Sequence, residues 1–99
     1  MITTELGHFW ITFENGYTLS IYNTFGSHSE NHFNKEEFDK LTNPKIYDRC
    51  ESKNCELAVL RDGRFCTRQF IENCEDSVIG YVKPDEVAEI MIKVKEVKE

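Results

Sequence analysis

No stretch of this chain approaches the roughly 20 consecutive apolar residues of a membrane-spanning helix, so no membrane span is expected. Basic residues are in short supply. Twelve Lys and Arg stand against eighteen Asp and Glu, a net charge of −6, whereas phosphate binding calls for a basic excess. An ordinary nucleic-acid binder is therefore not expected. The acids are spread along the chain, so they speak for solubility rather than for a face that imitates a phosphate backbone. Catalytic signatures are missing too. There is no Gly-x-Ser-x-Gly elbow, no phosphate loop and no His-Glu-x-x-His, and the chain reads as a non-enzyme with no cofactor. Internal repeats and low-complexity stretches are absent. The opening Met1-Ile2-Thr3-Thr4-Glu5-Leu6 carries neither a basic leader nor an apolar run, which leads to the expectation of a cytoplasmic protein. Cys50, Cys55, Cys66 and Cys74 would then be mostly reduced.

What is present is enough for one domain. In 99 residues, 39% are hydrophobic and 12% aromatic, and a chain of this size can bury a core without staples. The organising stretch is Phe9 to Ile21, two β-rich runs around Glu14-Asn15-Gly16. A two-residue Asn-Gly turn would mix polar and apolar side chains on each face. A three-residue loop with Gly16 left-handed sets Phe13 opposite Tyr17, Ile11 opposite Leu19 and Phe9 opposite Ile21. The second register gathers six apolar side chains on one face, so it is the one expected. Trp10, Thr12, Thr18 and Ser20 fall on the other face.

A polar loop follows from Asn23 to His32, with two of the three histidines and no Lys or Arg. Asn34 is placed to cap the N–H of Glu37, with Glu37 reaching back and with Phe33 and Phe38 as a hydrophobic staple. That short helix would pin Phe38 and Leu41 to the sheet and end at Asn43-Pro44. Lys45 to Asn54 reads as loop. A second hairpin is expected from Glu56–Leu60 and Arg64–Phe70 around Asp62-Gly63. Its register stays open: a three-residue loop groups Leu57 and Val59 with Phe65, a two-residue loop Ala58 and Leu60. Ser77 to Val82 is a further strand, in which Gly80 marks a bulge or a close backbone approach. Pro84 then starts a helix, with Asp85 and Glu86 in its first turn and a stripe of Val87, Ile90, Met91, Val94 and Val97 for the core. The class is α+β: an antiparallel sheet of four to five strands, two hairpins plus one strand. A C-terminal amphipathic helix packs on one face, and a short helix lies in the central insertion.

Several of these motifs occur together in a known group. The Ile-Thr-Phe-x-Asn-Gly-aromatic-Thr-x-Ser hairpin is here Ile11 to Ser20, and the loop has Gly26 with Ser29-Glu30-Asn31. Cys55-Glu56-Leu57-Ala58 and the helix start Gly80-Tyr81-Val82-Lys83-Pro84-Asp85-Glu86-Val87 complete the set. In this the chain resembles small phage- and prophage-encoded proteins. It departs from them in the longer, charged Phe33 to Asn54 segment and in His28 and His32. The resemblance implies a phage-type accessory protein in the host cytoplasm, acting by binding a host protein or by self-association as a homo-oligomer, counter-defence included.

The candidate binding residues are Trp10, His28, Asn31, Arg61, Arg64 and Arg68. Trp10 stands on an otherwise polar face, where the short helix, a second copy or a partner would cover it. Arg61, Arg64 and Arg68 make a basic spot at the second turn, suited to edge protection or to an anion. With the polar loop they suggest, as an alternative function, a nucleotide-like anion site with aromatic stacking. A second alternative is a structural zinc module from His28, His32, Cys50 and Cys55, at spacings that only loosely fit a tetrahedral N/S set; no metal is assigned. A cysteine nucleophile is not expected. Cys66 lies mid-strand, and Cys74 sits in the acidic turn Glu72-Asn73-Cys74-Glu75-Asp76, poor surroundings for a reactive thiol.

Overall fold

The first hairpin forms in the register that buries its apolar face. In the computed structural model, which describes residues 1–42, 49–72 and 74–98, with the backbone alone at 37 and 40–42, Phe9 faces Ile21 and Ile11 faces Leu19. Phe13 N–H donates to the Tyr17 carbonyl at 2.9 Å, and Gly16 takes a φ of 89°. A residue with a Cβ is strained there, so the glycine makes the loop possible. The strands are β2 (His8–Thr12) and β3 (Tyr17–Tyr22).

The sheet is larger than the sequence suggested. A strand β1 (Ile2–Glu5) precedes the hairpin and pairs antiparallel with β2 through a Leu6-Gly7 turn. That gives six strands among the described residues rather than four or five. Leu6 (φ 31°) and Gly7 (φ 78°) both have positive φ. Leu-Gly lacks the local turn preference of Asn-Gly, which is why the pattern concealed the turn. On the other side β3 pairs with β4 (Cys55–Arg61). The outer edge of β4 is shared by β5 (Arg64–Phe65) at one end and β6 (Ile79–Val82) at the other, all antiparallel.

The second hairpin closes by the two-residue alternative. Asp62 and Gly63, with φ of 52° and 76°, form the turn, and Leu60 faces Phe65. The expected strand from Arg64 to Phe70 is corrected: only Arg64–Phe65 is extended, and Thr67–Gln69 winds into a single 3₁₀ turn. The cause is Thr67, which is 1% exposed. Its hydroxyl accepts the Val59 N–H at 2.9 Å and bonds the Ser77 carbonyl at 2.7 Å. A side chain thus takes the Val59 N–H that the next backbone pair would need, and β6 takes the remainder of the edge.

The core lies between β3–β4 and α2 (Pro84–Lys95). Leu19, Leu57, Val59 and Val94 are completely buried, with Tyr17, Val82 and Ile90 beside them. The apolar stripe of α2 faces the sheet as its spacing predicts: Ile90 and Val94 are buried, and Val87, Met91 and Val97 pack around them. At the helix start the Glu86 carboxylate accepts the Lys83 N–H at 3.2 Å. The helix end is held from the first hairpin. Asn15 Nδ2 donates to the carbonyls of Val94 (2.8 Å) and Val97 (3.0 Å), while its Oδ1 accepts the Tyr17 N–H. One turn residue thus satisfies carbonyls that a helix terminus leaves open.

The short helix α1 (Lys35–Thr42) begins where expected, but its details differ. Asn34 Oδ1 accepts the N–H of Glu36 at 3.0 Å, while the expected return bond from the Glu37 side chain lies outside the described residues. The Phe33–Phe38 staple is not made. Phe33 is 84% exposed, and Phe38 packs on Phe25 of the preceding loop, ring centroids 4.9 Å apart. The expected ending at Asn43-Pro44, and the contacts of Leu41, lie outside the described residues. Asn15→Ala should lower stability by about 1–3 kcal/mol. Urea unfolding checks this, and no change would mean that the α2 terminus does not need the cap.

Candidate functional site

The loop from Asn23 to Asn34 is held together by small polar side chains. Thr24, Ser27, Ser29 and Asn31 are all buried, with Ser27 at 0% exposure. Such side chains bond local backbone readily, and here they replace an apolar interior. Ser27 Oγ donates to the Thr24 carbonyl at 2.6 Å and meets Ser29 Oγ at 2.7 Å. Asn31 is the hub. Its Nδ2 donates to the carbonyls of Asn23 (2.8 Å) and Glu51 (3.0 Å), and its Oδ1 accepts from Asn34 Nδ2 at 3.1 Å. A residue put forward for binding therefore spends its amide on the loop itself. Asn31 is a fold lock, and the face it supports is the part open to a ligand.

This knot is docked on the sheet at the β6 bulge. Cys55 pairs with Val82 and Leu57 with Ile79, so Gly80 and Tyr81 together stand against Glu56. The His28 carbonyl accepts the Tyr81 N–H at 2.8 Å, and the Glu56 carboxylate accepts the His28 N–H at 3.1 Å. The loop comes so near that a Cβ on residue 80 would lie 2.6 Å from the His28 Cβ and 3.0 Å from its carbonyl oxygen. Gly80 is thus both the bulge and the close approach anticipated from its place in the strand. Tyr81 takes a φ of 55°, a left-handed conformation that costs a non-glycine residue of order 1–3 kcal/mol. The bulge turns its ring outward, 58% exposed. Ser29, Glu30, His32, Phe33, Asn34 and Tyr81 line a cleft of about 500 Å³ there.

Behind the cleft runs a row of rings. Glu5, His8, Tyr22 and Glu56 are successive cross-strand partners, hence neighbours on the face away from α2. Trp10 stacks on His8 with centroids 3.7 Å apart, so its own strand neighbour lies against it. His8 Nε2 meets Ser20 Oγ at 2.5 Å, and its ring lies 4.9 Å from that of Tyr22. Burial lowers the pKa of His8, outweighing the pull of Glu56 and Glu5, and burial raises that of Tyr22 with help from Glu56 and Cys50. From Glu56 the row continues to His28, whose Nε2 is 3.8 Å from the carboxylate. His32 stacks on His28 at 5.6 Å, and Phe33 meets His32 edge-on at 4.3 Å. All three histidines of the chain therefore lie along one face.

The other candidates do not join this row. Arg61 and Arg64 are cross-strand partners at the far end of β4, about 17 Å from Glu56 at some 3.4 Å per residue. Arg61 lies over the Tyr17 ring at 4.9 Å, and Arg68 donates to the Glu75 carbonyl. The arginine hairpin and the polar loop thus stand at opposite ends of one strand. The proposed zinc ligands do not gather either. Cys55 is buried in the core, where desolvation pushes its thiol up to about 11, while the Cys50 Sγ bonds the Asn23 carbonyl. Among the described residues, no three His, Cys, Asp or Glu side chains are placed to hold a metal ion. Burial also raises the Cys66 thiol, against the opposing pull of Arg61.

Sequence reasoning missed His8, Glu56, Phe33 and Tyr81 as surface-forming residues. Only Gly80 hinted at them, because a glycine inside a strand marks a bulge or a close contact. Comparison with protein-family models, with curated proteins and with solved structures returned no match.

The lowered pKa of His8 has a defined consequence for stability. Its folded value lies below the ordinary 6.5, so the unfolded chain takes up the proton first as pH falls. The contribution is full above about pH 6.5 and is lost progressively below it. An NMR titration should place the His8 midpoint below 6.5, and His8→Gln should flatten the loss of thermal stability between about pH 7 and 5. A midpoint above 6.5 would contradict the burial argument.

Proposed function

We propose that this protein is a non-enzymatic binding module for another protein, with its recognition surface at the cleft where the Asn23–Asn34 loop meets the β6 bulge. The observation that carries this reading is the pairing of exposure with rigidity. Phe33 and Tyr81 are 84% and 58% exposed, yet both line a cleft whose walls are held by buried hydrogen bonds and a strained residue. Exposed rings on a pre-ordered frame bind at low conformational cost, which is how hot spots work. The likeness to small phage proteins makes a host protein the natural partner and an accessory role, such as counter-defence, the natural setting. His28 and Trp10 belong to the same face, so two of the candidate residues keep a place in the reading. In affinity purification from host cells, Phe33→Ser/Tyr81→Ser should lose the partner that wild type retains, with thermal stability within about 1 kcal/mol of wild type. Retention by that variant would overturn the reading. So would turnover of a nucleotide or peptide that a single side-chain change abolishes.

Self-association is favoured by a separate observation, the outer edge of β1, which has no paired strand among the described residues. Every residue of this strand is exposed, and Met1, Ile2 and Leu6 expose 83%, 68% and 49% of their surface. Met1 and Thr12 exchange both backbone hydrogen bonds. The antiparallel alternation then turns the N–H and C=O of Thr3 and Glu5 toward β2 and those of Ile2 and Thr4 outward. An edge without Lys, Pro or a bulge is a template for a second strand. Two copies related by a two-fold axis at Thr3 would pair Ile2 with Thr4 of the other copy. Light scattering should then give twice the 11.6 kDa of one chain, and Thr4→Pro, which removes only an outward donor, should return it to one. A single-chain mass for wild type at about 100 μM would rule this pairing out.

A further inference from the structure

We infer that the cleft at the β6 bulge receives a cationic side chain, an arginine or lysine on an exposed segment of the partner protein; this rests on the reading of that cleft as a protein-binding surface. Of its six lining residues, Glu30 alone is an acid, and none is Lys or Arg. The Glu30 carboxylate is already oriented: Oε1 accepts the Lys53 N–H at 2.8 Å, while the residue's own N–H donates to Asn54 Oδ1 at 2.7 Å. Among the described residues no donor occupies its second oxygen, which leaves one acceptor fixed at the wall of the cleft. Around it stand the two exposed rings, Phe33 and Tyr81. Aromatic faces attract cations, and a guanidinium can lie on a ring while its edge reaches a carboxylate.

Other classes of ligand fit less well. An anion would meet the Glu30 charge with no cation in the lining to hold it, on a chain of net charge −6. A purely apolar group would strip water from the Glu30 carboxylate with nothing to offer in return. A cation uses both kinds of wall at once. The acidic excess of the whole chain also steers basic segments toward it, an effect that salt weakens. The volume of about 500 Å³ leaves room for the neighbours of the inserted side chain.

The test uses the full chain and two probes of equal shape, N-acetyl-arginine amide and its neutral citrulline counterpart. In an NMR titration the arginine probe should shift the amides of Glu30, His32, Phe33, Asn34 and Tyr81 saturably, and bind at least about fivefold more tightly than citrulline. Glu30→Gln keeps an oxygen for the Lys53 N–H but removes the charge, so it should erase most of that preference without unfolding the loop. Equal binding of the two probes would overturn the inference. So would an arginine preference that survives Glu30→Gln, or binding of inorganic phosphate at the same amides. The failures are separable. If Phe33→Ser/Tyr81→Ser abolishes partner capture but Glu30→Gln leaves both capture and probe binding unchanged, the cation is wrong and the surface stands. If neither variant changes capture, the surface itself is wrong.

Discussion

The hydrogen bond from the Tyr81 N–H to the His28 carbonyl joins two segments more than fifty residues apart, and the candidate site exists because of it. It brings the polar loop onto the sheet at the one place where residue 80 has no side chain to obstruct it. It also uses the backbone donor that a bulge would otherwise leave unpaired. With that contact in place, Tyr81 stays in a left-handed conformation and its ring points outward. His28 reaches Glu56, and His32 and Phe33 follow along the same face. Strained tyrosine backbone persists only where its surroundings over-determine it. Here those surroundings are two neighbouring ladder pairs, the His28 carbonyl and the buried serines behind it.

The two faces of the sheet thus do different work. One is closed by α2 over Leu19, Leu57 and Val59, and Asn15 ties the helix end back to the first turn. Stability on this side comes from apolar burial. The other face, among the described residues, has no long helix across it and holds Trp10, His8 and Tyr22 in a stacked row flanked by Glu5 and Glu56. That face is ordered by ring stacking and hydrogen bonds, and it leads directly to the cleft. A surface built in this way is stiff without being apolar, which suits recognition better than further packing.

How much of this was legible depended on whether the signal was local. The Phe13–Tyr17 register, the α2 start at Pro84 and its apolar stripe all follow from period and turn chemistry within a short window, and all are found. β1 was hidden because Leu6-Gly7 carries no strong turn preference, and because β1 itself buries neither face. The 3₁₀ turn after Phe65 depends on a Thr67 hydroxyl meeting Val59 across the sheet, a contact no local pattern reveals. The candidate residues divide in the same way. Trp10 and His28, put forward for separate reasons, lie along one face of the sheet. Asn31 is internal to the loop, and the arginines lie at the opposite end of β4, because strand order and not sequence proximity decides which loops meet. Glu56 and Tyr81 could be ranked only once the bulge placed them together.

The central claim is that the cleft is formed in advance by the docked loop and is not assembled on binding. Native-state hydrogen exchange of the Tyr81 amide tests it most directly. If the loop is docked as described, that amide should exchange within about a factor of ten of the amides in the middle of β4, reporting opening of the fold rather than of the loop. Exchange at the rate of an unstructured peptide, while β4 stays protected, would mean that the His28 carbonyl does not hold it, and the pre-formed site would be contradicted.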